Sequence, residues 1–253
     1  EIHVNLKQTQ SSFRLLLKPP ILFVLLVGIA LGVFQQFSGI NAVMYYGPVI
    51  FESAGFYPVK NAILATFFMG AINFLFTLVT LFCIDKLGRR FLLLTGTMIA
   101  ALSLFMVGIF FNYPLTGQKF WIMGSVSFYV IGYCISVGSL FWVLISEIYP
   151  LHVRGLAMSI ATVVQWAANF AVSLSFLAIY QALGEMFTFS LFGSLCLFAF
   201  FFVYRFVPET TGISLEKIEE NLMAGRKIRD IGQPIPEKIK TKEFKKEFKL
   251  ARE

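Results

Sequence analysis
Six apolar blocks, each long enough to cross a lipid bilayer, constrain this chain more than any other feature. They run over residues 21–53, 61–84, 91–112, 120–148, 155–182 and 186–206. Each reaches or exceeds the roughly 20 residues that a helix needs to traverse the hydrocarbon core. Hydrocarbon offers no water to exposed N–H and C=O groups, so a spanning segment must satisfy its backbone internally, as a helix does. The composition agrees, with 57% hydrophobic and 14% charged residues. The expected fold is an all-α integral membrane protein with six transmembrane helices.

Charge placement predicts the orientation. Lys7, Arg14 and Lys18 precede the first block, Lys86, Arg89 and Arg90 separate the second from the third, and Arg154 separates the fourth from the fifth. The C-terminal stretch is also rich in Lys and Arg, whereas only Lys60 and Lys119 fall on the other face. The positive-inside rule therefore puts both termini and these loops in the cytoplasm, consistent with an even number of spans. This bias accounts for the net charge of +7 and leaves no reason to infer a nucleic-acid partner. Cys83, Cys134 and Cys196 each stand alone in an apolar segment, so buried thiols are expected rather than a disulfide, a metal site or a cofactor anchor. The first block is too long, and lies too far behind a polar leader, for a signal peptide. Because the chain begins at Glu1 rather than Met, a preceding N-terminal portion is expected to be missing.

Four regions follow along the chain. Residues 1–19 read as a polar, amphipathic leader that ends at Pro19-Pro20, because proline cannot continue a helix from inside it. Residues 20–207 form the membrane domain, and 208–223 hold a short amphipathic helix, with Ser214 as N-cap and Leu215, Ile218 and Leu222 on one face. Residues 224–253 read as a mobile basic tail, transiently helical near 241–250. The spans divide into two triplets whose leading members are both interrupted, by Ser38-Gly39 and by Ser136-Val137-Gly138-Ser139. Matched interruptions point to a binding site in carriers built from inverted repeats.

Polar side chains inside the blocks narrow the chemistry. Gln35, Gln36 and Asn41 flank the first interruption, and Tyr45-Tyr46 follow it. An unpaired amide in hydrocarbon costs on the order of 2–7 kcal/mol, so these groups should face other helices or a wet cavity and hold a polar, uncharged ligand. Thr66, Gly70, Asn73, Thr77 and Thr80 form a stripe on the second block. Helix–helix contact is the competing reading for its small and hydroxyl residues, whereas the Asn73 amide is costly without a partner. Gln165 and Asn169 share a face of the fifth block with Trp166 beside them, and interhelical hydrogen bonding competes with ligand binding at both amides. Trp142, one turn after Gly138, either packs or stacks on the apolar face of a sugar ring. No Asp, Glu, Lys, Arg or His lies near the middle of any block, which favours a neutral, hydroxyl-rich substrate and leaves no candidate catalytic group.

At the cytoplasmic face, Asp85-Lys86-Leu87-Gly88-Arg89-Arg90 makes a tight turn, and Glu147 with Arg154 repeats the mixture of signs. Topogenic charge explains the arginines. The carboxylates suggest ion pairs that clamp helix ends in one conformation and release them in another.

These residues together resemble the C-terminal half of a sugar porter of the major facilitator superfamily, the group containing facilitative glucose transporters and bacterial proton–sugar symporters. The resemblance covers nearly all of residues 1–223 and rests on five ordered motifs: Gln35-Gln36-Phe37-Ser38-Gly39-Ile40-Asn41, Gly88-Arg89-Arg90, Trp142 through Arg154, Gln165-Trp166 with Asn169, and Pro208-Glu209-Thr210. It implies a half-carrier of two inverted three-helix repeats with short cytoplasmic helices, whose missing N-terminal six-helix half would complete alternating access. It further implies that Gln35, Gln36, Asn41, Asn73, Trp142 and Gln165 contact the sugar and that Tyr45 and Tyr46 belong to an extracellular gate. Asp85, Arg89, Arg90, Glu147, Arg154 and Glu209 would form a cytoplasmic salt-bridge set. Thr211 stands where the family usually carries Lys, and Ser139 and Phe141 stand where glucose facilitators carry prolines, which leans toward the bacterial branch and a bacterial inner membrane. The alternatives are a non-transporting sensor, an inactive truncated half, or a carrier of another polyol such as inositol.

Overall fold
The computed structural model describes residues 13–113 and 116–233. The first apolar block is three helices rather than one: α1 (Pro19–Phe37), α2 (Ile40–Tyr45) and α3 (Gly47–Ser53). Pro19 and Pro20 occupy the first turn of α1, where their missing N–H groups would have had no partner. Between α1 and α2, Gly39 adopts φ +86°, and a Cβ there would meet the Phe192 ring at 2.8 Å. Glycine is required at this break both for the backbone angle and for the close approach of Phe192.

The second and third blocks are α4 (Val59–Leu87) and α5 (Arg89–Asn112), joined through the single residue Gly88. The fourth begins as α6 (Gln118–Tyr133), loosens into a π-helical segment over Cys134–Gly138, and continues as α7 (Ser139–Ile148). Within that segment Ser136 leaves the helical region altogether, at φ −119° and ψ −120°. Both interruptions read from the sequence are thus real breaks, the second centred on Ser136, the first residue of the expected stretch. The last two blocks form one helical run, α8 (Arg154–Phe206), which Gly184 breaks at φ 77° into two spans. Among the described residues five helical runs are long and apolar enough to cross a membrane, the last of them divided at Gly184 into the fifth and sixth expected blocks, and no strand occurs.

α5 is the scaffold, packing on both α6 and α8, while α1 packs along α8. α4 leaves Phe67, Phe74 and Phe82 outward, as suits a helix whose surroundings are lipid rather than water. One buried cluster lies toward the basic end and joins Leu31, Leu93, Leu140 and Leu144. A second, toward the opposite end, joins Phe51, Leu104, Tyr129, Phe176 and Phe189.

α9 (Leu215–Met223) seats Ile218 and Leu222 in the first cluster. Ser214 holds the N-cap position but makes no side-chain capping bond, so docking of the apolar face holds this helix in place. The start of the expected mobile tail is also folded. Ile228 and Ile231 are buried, and the Asn221 Nδ2 donates to the carbonyls of Ile231 (2.8 Å) and Gln233 (3.1 Å). Two isoleucines anchor what its charge made look like free tail. Most of the leader and the 241–250 segment lie outside the described residues.

Candidate functional site
The two breaks meet across a cavity of about 570 Å³, lined by α1, α2, α4, the π segment, α7 and the first half of α8. Gln35, Gln36, Asn41, Asn73, Trp142 and Gln165 all line it. Their amides form a directional network. The Gln35 Nε2 donates to the carbonyls of Val137 and Gly138, both at 3.0 Å, while its Oε1 accepts the Gln165 Nε2 at 3.0 Å. The Gln36 Oε1 accepts two donors, Asn41 Nδ2 at 2.7 Å and Asn169 Nδ2 at 2.9 Å. Gln35 and Gln36 are only 2% and 3% exposed, so such bonds offset a desolvation cost that lone amides could not bear.

The network leaves particular groups unused. The Gln36 amide nitrogen, the Asn41 carbonyl oxygen and both ends of the Asn73 amide have no hydrogen-bond partner among the described residues. The Gln165 Oε1 is buried without one. Donors and acceptors therefore both face the cavity, as a hydroxyl, which is itself donor and acceptor, requires. Trp142, 41% exposed, and Trp166 supply aromatic surface beside them. No Asp, Glu, Lys, Arg or His lines the cavity, and no cluster suited to a metal ion occurs among the described residues.

Asn169, which sequence spacing left between two readings, is a structural support here, since its Oδ1 also accepts from Ser173 at 3.4 Å. The threonine stripe on α4 divides in the same way. Thr66, Thr77 and Thr80 bond back to carbonyls one turn earlier, and Thr80 alone reaches across to the Cys134 carbonyl at 3.3 Å. Tyr133, Cys134 and Ser139 line the cavity as well, although polarity alone did not single them out. Their nearness to the second break was the available signal. Tyr45 and Tyr46 do not line it: Tyr45 is exposed, and Tyr46 stacks on Phe176 at 5.3 Å and donates to the Ser173 carbonyl at 3.2 Å.

At the basic end the charges make a second polar site. The Arg89 Nη2 pairs with Glu147 at 3.0 Å and with Asp85 at 2.9 Å, and the other Glu147 oxygen accepts the Thr210 hydroxyl at 2.6 Å. Glu209 departs from the ion-pair role that the resemblance implied. Its two oxygens accept the backbone N–H groups of Arg89 and Arg90, both at 3.0 Å, so a carboxylate from beyond α8 caps the N-terminus of α5. Gly88, at φ 86°, permits that approach, because a Cβ there would lie 2.8 Å from the carboxylate. Burial pushes the Glu209 carboxyl up, but bonds from the Thr211 hydroxyl and N–H and from the N–H groups of Arg90 and Arg89 outweigh it and hold it below the ordinary value. Arg90 and Arg154 likewise spend hydrogen bonds on carbonyls, those of Tyr204 at 2.7 Å and Tyr149 at 3.2 Å, rather than on carboxylates. Helix ends supply many unpaired carbonyls, which compete for arginine.

The sequence profile of the family described as "Sugar (and other) transporter" matches residues 1–222. The chain belongs to that family. Among its relatives, the arabinose-proton symporter of Bacillus subtilis is 36% identical over 214 residues, covering 84% of this chain and 46% of the symporter. The galactose-proton symporter of Escherichia coli K12 is 35% identical over 208 residues, covering 81% and 45% respectively. The proton:xylose symporter XylE, solved with 6-bromo-6-deoxy-D-glucose, superposes with a TM-score of 0.71 at 31% identity, over 86% of this chain and 48% of that one. This member of the sugar transporter family thus spans about half the length of these relatives. Membership fixes the all-α membrane fold and a carrier lineage rather than an enzyme lineage.

Proposed function
We propose that this chain is the C-terminal half of a carrier that moves a neutral sugar, a hexose or pentose, across a membrane by alternating access. One observation carries the reading: the six amide and indole side chains picked out by the sequence converge on one cavity that holds unused donors and acceptors and no ionisable carboxylate, amine or imidazole. Gln36, Asn41 and Asn73 would take sugar hydroxyls, with Trp142 against a ring face. Gln35 and Gln165 would hold the wall in register. A matching N-terminal six-helix half would close the other side, in line with relatives about twice this length. Both termini would lie in the cytoplasm, on the loop charges, and Ser139 and Phe141 favour a bacterial plasma membrane.

Uptake of labelled xylose, arabinose, galactose and inositol into proteoliposomes tests this reading, with the chain alone and then joined to an N-terminal half of one of the symporters. Uptake by the joined protein alone is the expected result. Sugar binding without uptake in either preparation would overturn transport in favour of a sensor, and uptake of inositol alone would overturn the sugar assignment.

A further inference from the structure
A second cavity, of about 640 Å³, opens at the basic end between the start of α1 and the end of α8, where residues 227–233 close over it. Arg205, Lys227 and Arg229 line it against a single carboxylate, Asp230. None of the three cations makes an ion pair among the described residues, where the only acid–base pairs are those of Arg89 and His152. A fourth cation stands close by: the guanidinium groups of Arg90 and Arg229 lie 5.7 and 5.3 Å from the centroid of the same ring, Tyr204. Like charges gathered this way call for an anion between them.

The remaining wall is apolar. Phe23 and Phe206 meet edge to face at 6.2 Å, and Phe23 is 44% exposed on the outside of the bundle. Tyr204, half exposed, adds the ring that the Arg90 and Arg229 guanidinium groups approach. A soluble phosphate would use the cations and leave these rings idle. A phospholipid would use both, with its phosphate on the basic groups and its first acyl carbons along the phenylalanines. We infer that this cavity binds the phosphate of an anionic phospholipid from the adjacent leaflet. Basic pockets beside transmembrane helices are suited to such headgroups, and folding of residues 227–233 supplies two of the cations. The leaflet follows from the orientation proposed above, but lipid capture itself depends neither on that orientation nor on sugar transport.

Native mass spectrometry of the detergent-purified chain, titrated in parallel with phosphatidylglycerol and phosphatidylcholine, tests the inference. Retention of phosphatidylglycerol at least tenfold above phosphatidylcholine is expected. The K227Q/R229Q variant should lose roughly tenfold or more of that retention, while K86Q/K217Q, which removes two cations away from the cavity, should keep it. The K227R/R229K variant should bind as the parent does, which separates charge from folding. Equal retention of the two lipids, equal loss in the two neutralised variants, or loss in K227R/R229K would overturn it. So would displacement of the lipid by millimolar inorganic phosphate, since a soluble anion would then be the ligand.

Discussion
The chain has two polar centres, and they solve opposite problems. In the amide-lined cavity Gln35, Gln36, Asn41 and Gln165 are neutral and bonded to other neutral groups, and Asn73 adds an amide with no partner among the described residues. At the basic end, the charges around Arg89 bond mostly to one another and to helix ends, although the buried Nε groups of Arg89 and Arg90 lack a partner among the described residues: Glu209 and Glu147 each accept several donors, and Arg89 meets two carboxylates. The contrast shows which centre is built to take a ligand and which to hold helices together. Neutral amides tolerate burial with a valence unfilled, at a modest cost that a ligand removes, whereas an unpaired buried charge costs far more. Substitutions at the rim should therefore register in stability, and substitutions in the cavity should register in binding.

Gly88→Ala should break the rim most severely. It places a Cβ at a φ and ψ that are essentially reserved for glycine and pushes the Glu209 carboxylate off α5, so a loss of about 3 kcal/mol is expected in thermal unfolding of the detergent-solubilised chain. Glu147→Ala should follow at about 2 kcal/mol, because it strands the mostly buried Arg89 guanidinium and the Thr210 hydroxyl. Asp85→Ala, by contrast, should cost under about 1 kcal/mol, since Asp85 is 78% exposed. A melt in which Asp85→Ala equals Glu147→Ala would erase the distinction between held and solvated charges.

In the cavity the scale is smaller and the readout different. Asn41→Ala should weaken sugar binding to the joined protein by about 1–3 kcal/mol in titration calorimetry while leaving the melting temperature nearly in place, whereas Gln36→Ala, which also strands the buried Asn169 amide, should lower both. A large drop in melting temperature with unaltered affinity would reverse the roles assigned to the two centres. The smallest effect is that of pH. Glu209 titrates below its unfolded value of about 4.3, so its stabilising contribution is complete above that value and is lost as pH falls through the native one. Rim stability should hold from about pH 8 to pH 5 and decline below about pH 4. Sugar binding by the isolated chain should be flat across that upper range, because no group lining the cavity changes charge there.

Much of this contrast was legible in the sequence. Block lengths yield the spans, Ser38-Gly39 and the Ser136-Val137-Gly138-Ser139 stretch mark the breaks, and amides in apolar surroundings have to converge somewhere. What stayed hidden were the partners. Gln35 bonds to backbone carbonyls about a hundred positions away, and no residue type advertises a receptive carbonyl. The family resemblance implied ion pairs between Glu209 and the arginines, yet the carboxylate found the N–H groups of Arg89 and Arg90, which every sequence possesses. Residues 224–233 looked like solvated tail because charge dominates there, and the anchoring role of Ile228 and Ile231 appears only once α9 is seated.

The paired hydrogen bonds from Gln35 to Val137 and Gly138 also couple the two breaks energetically. One discontinuity supplies the donor and the other the acceptors, so neither is whole without its counterpart. A substitution that restored regular helix at Ser136 would orphan an amide in another span, and one that removed the amide would leave two carbonyls unanswered. A double-mutant cycle between Gln35 and Ser136 should therefore depart from additivity by far more than their separation along the chain would suggest.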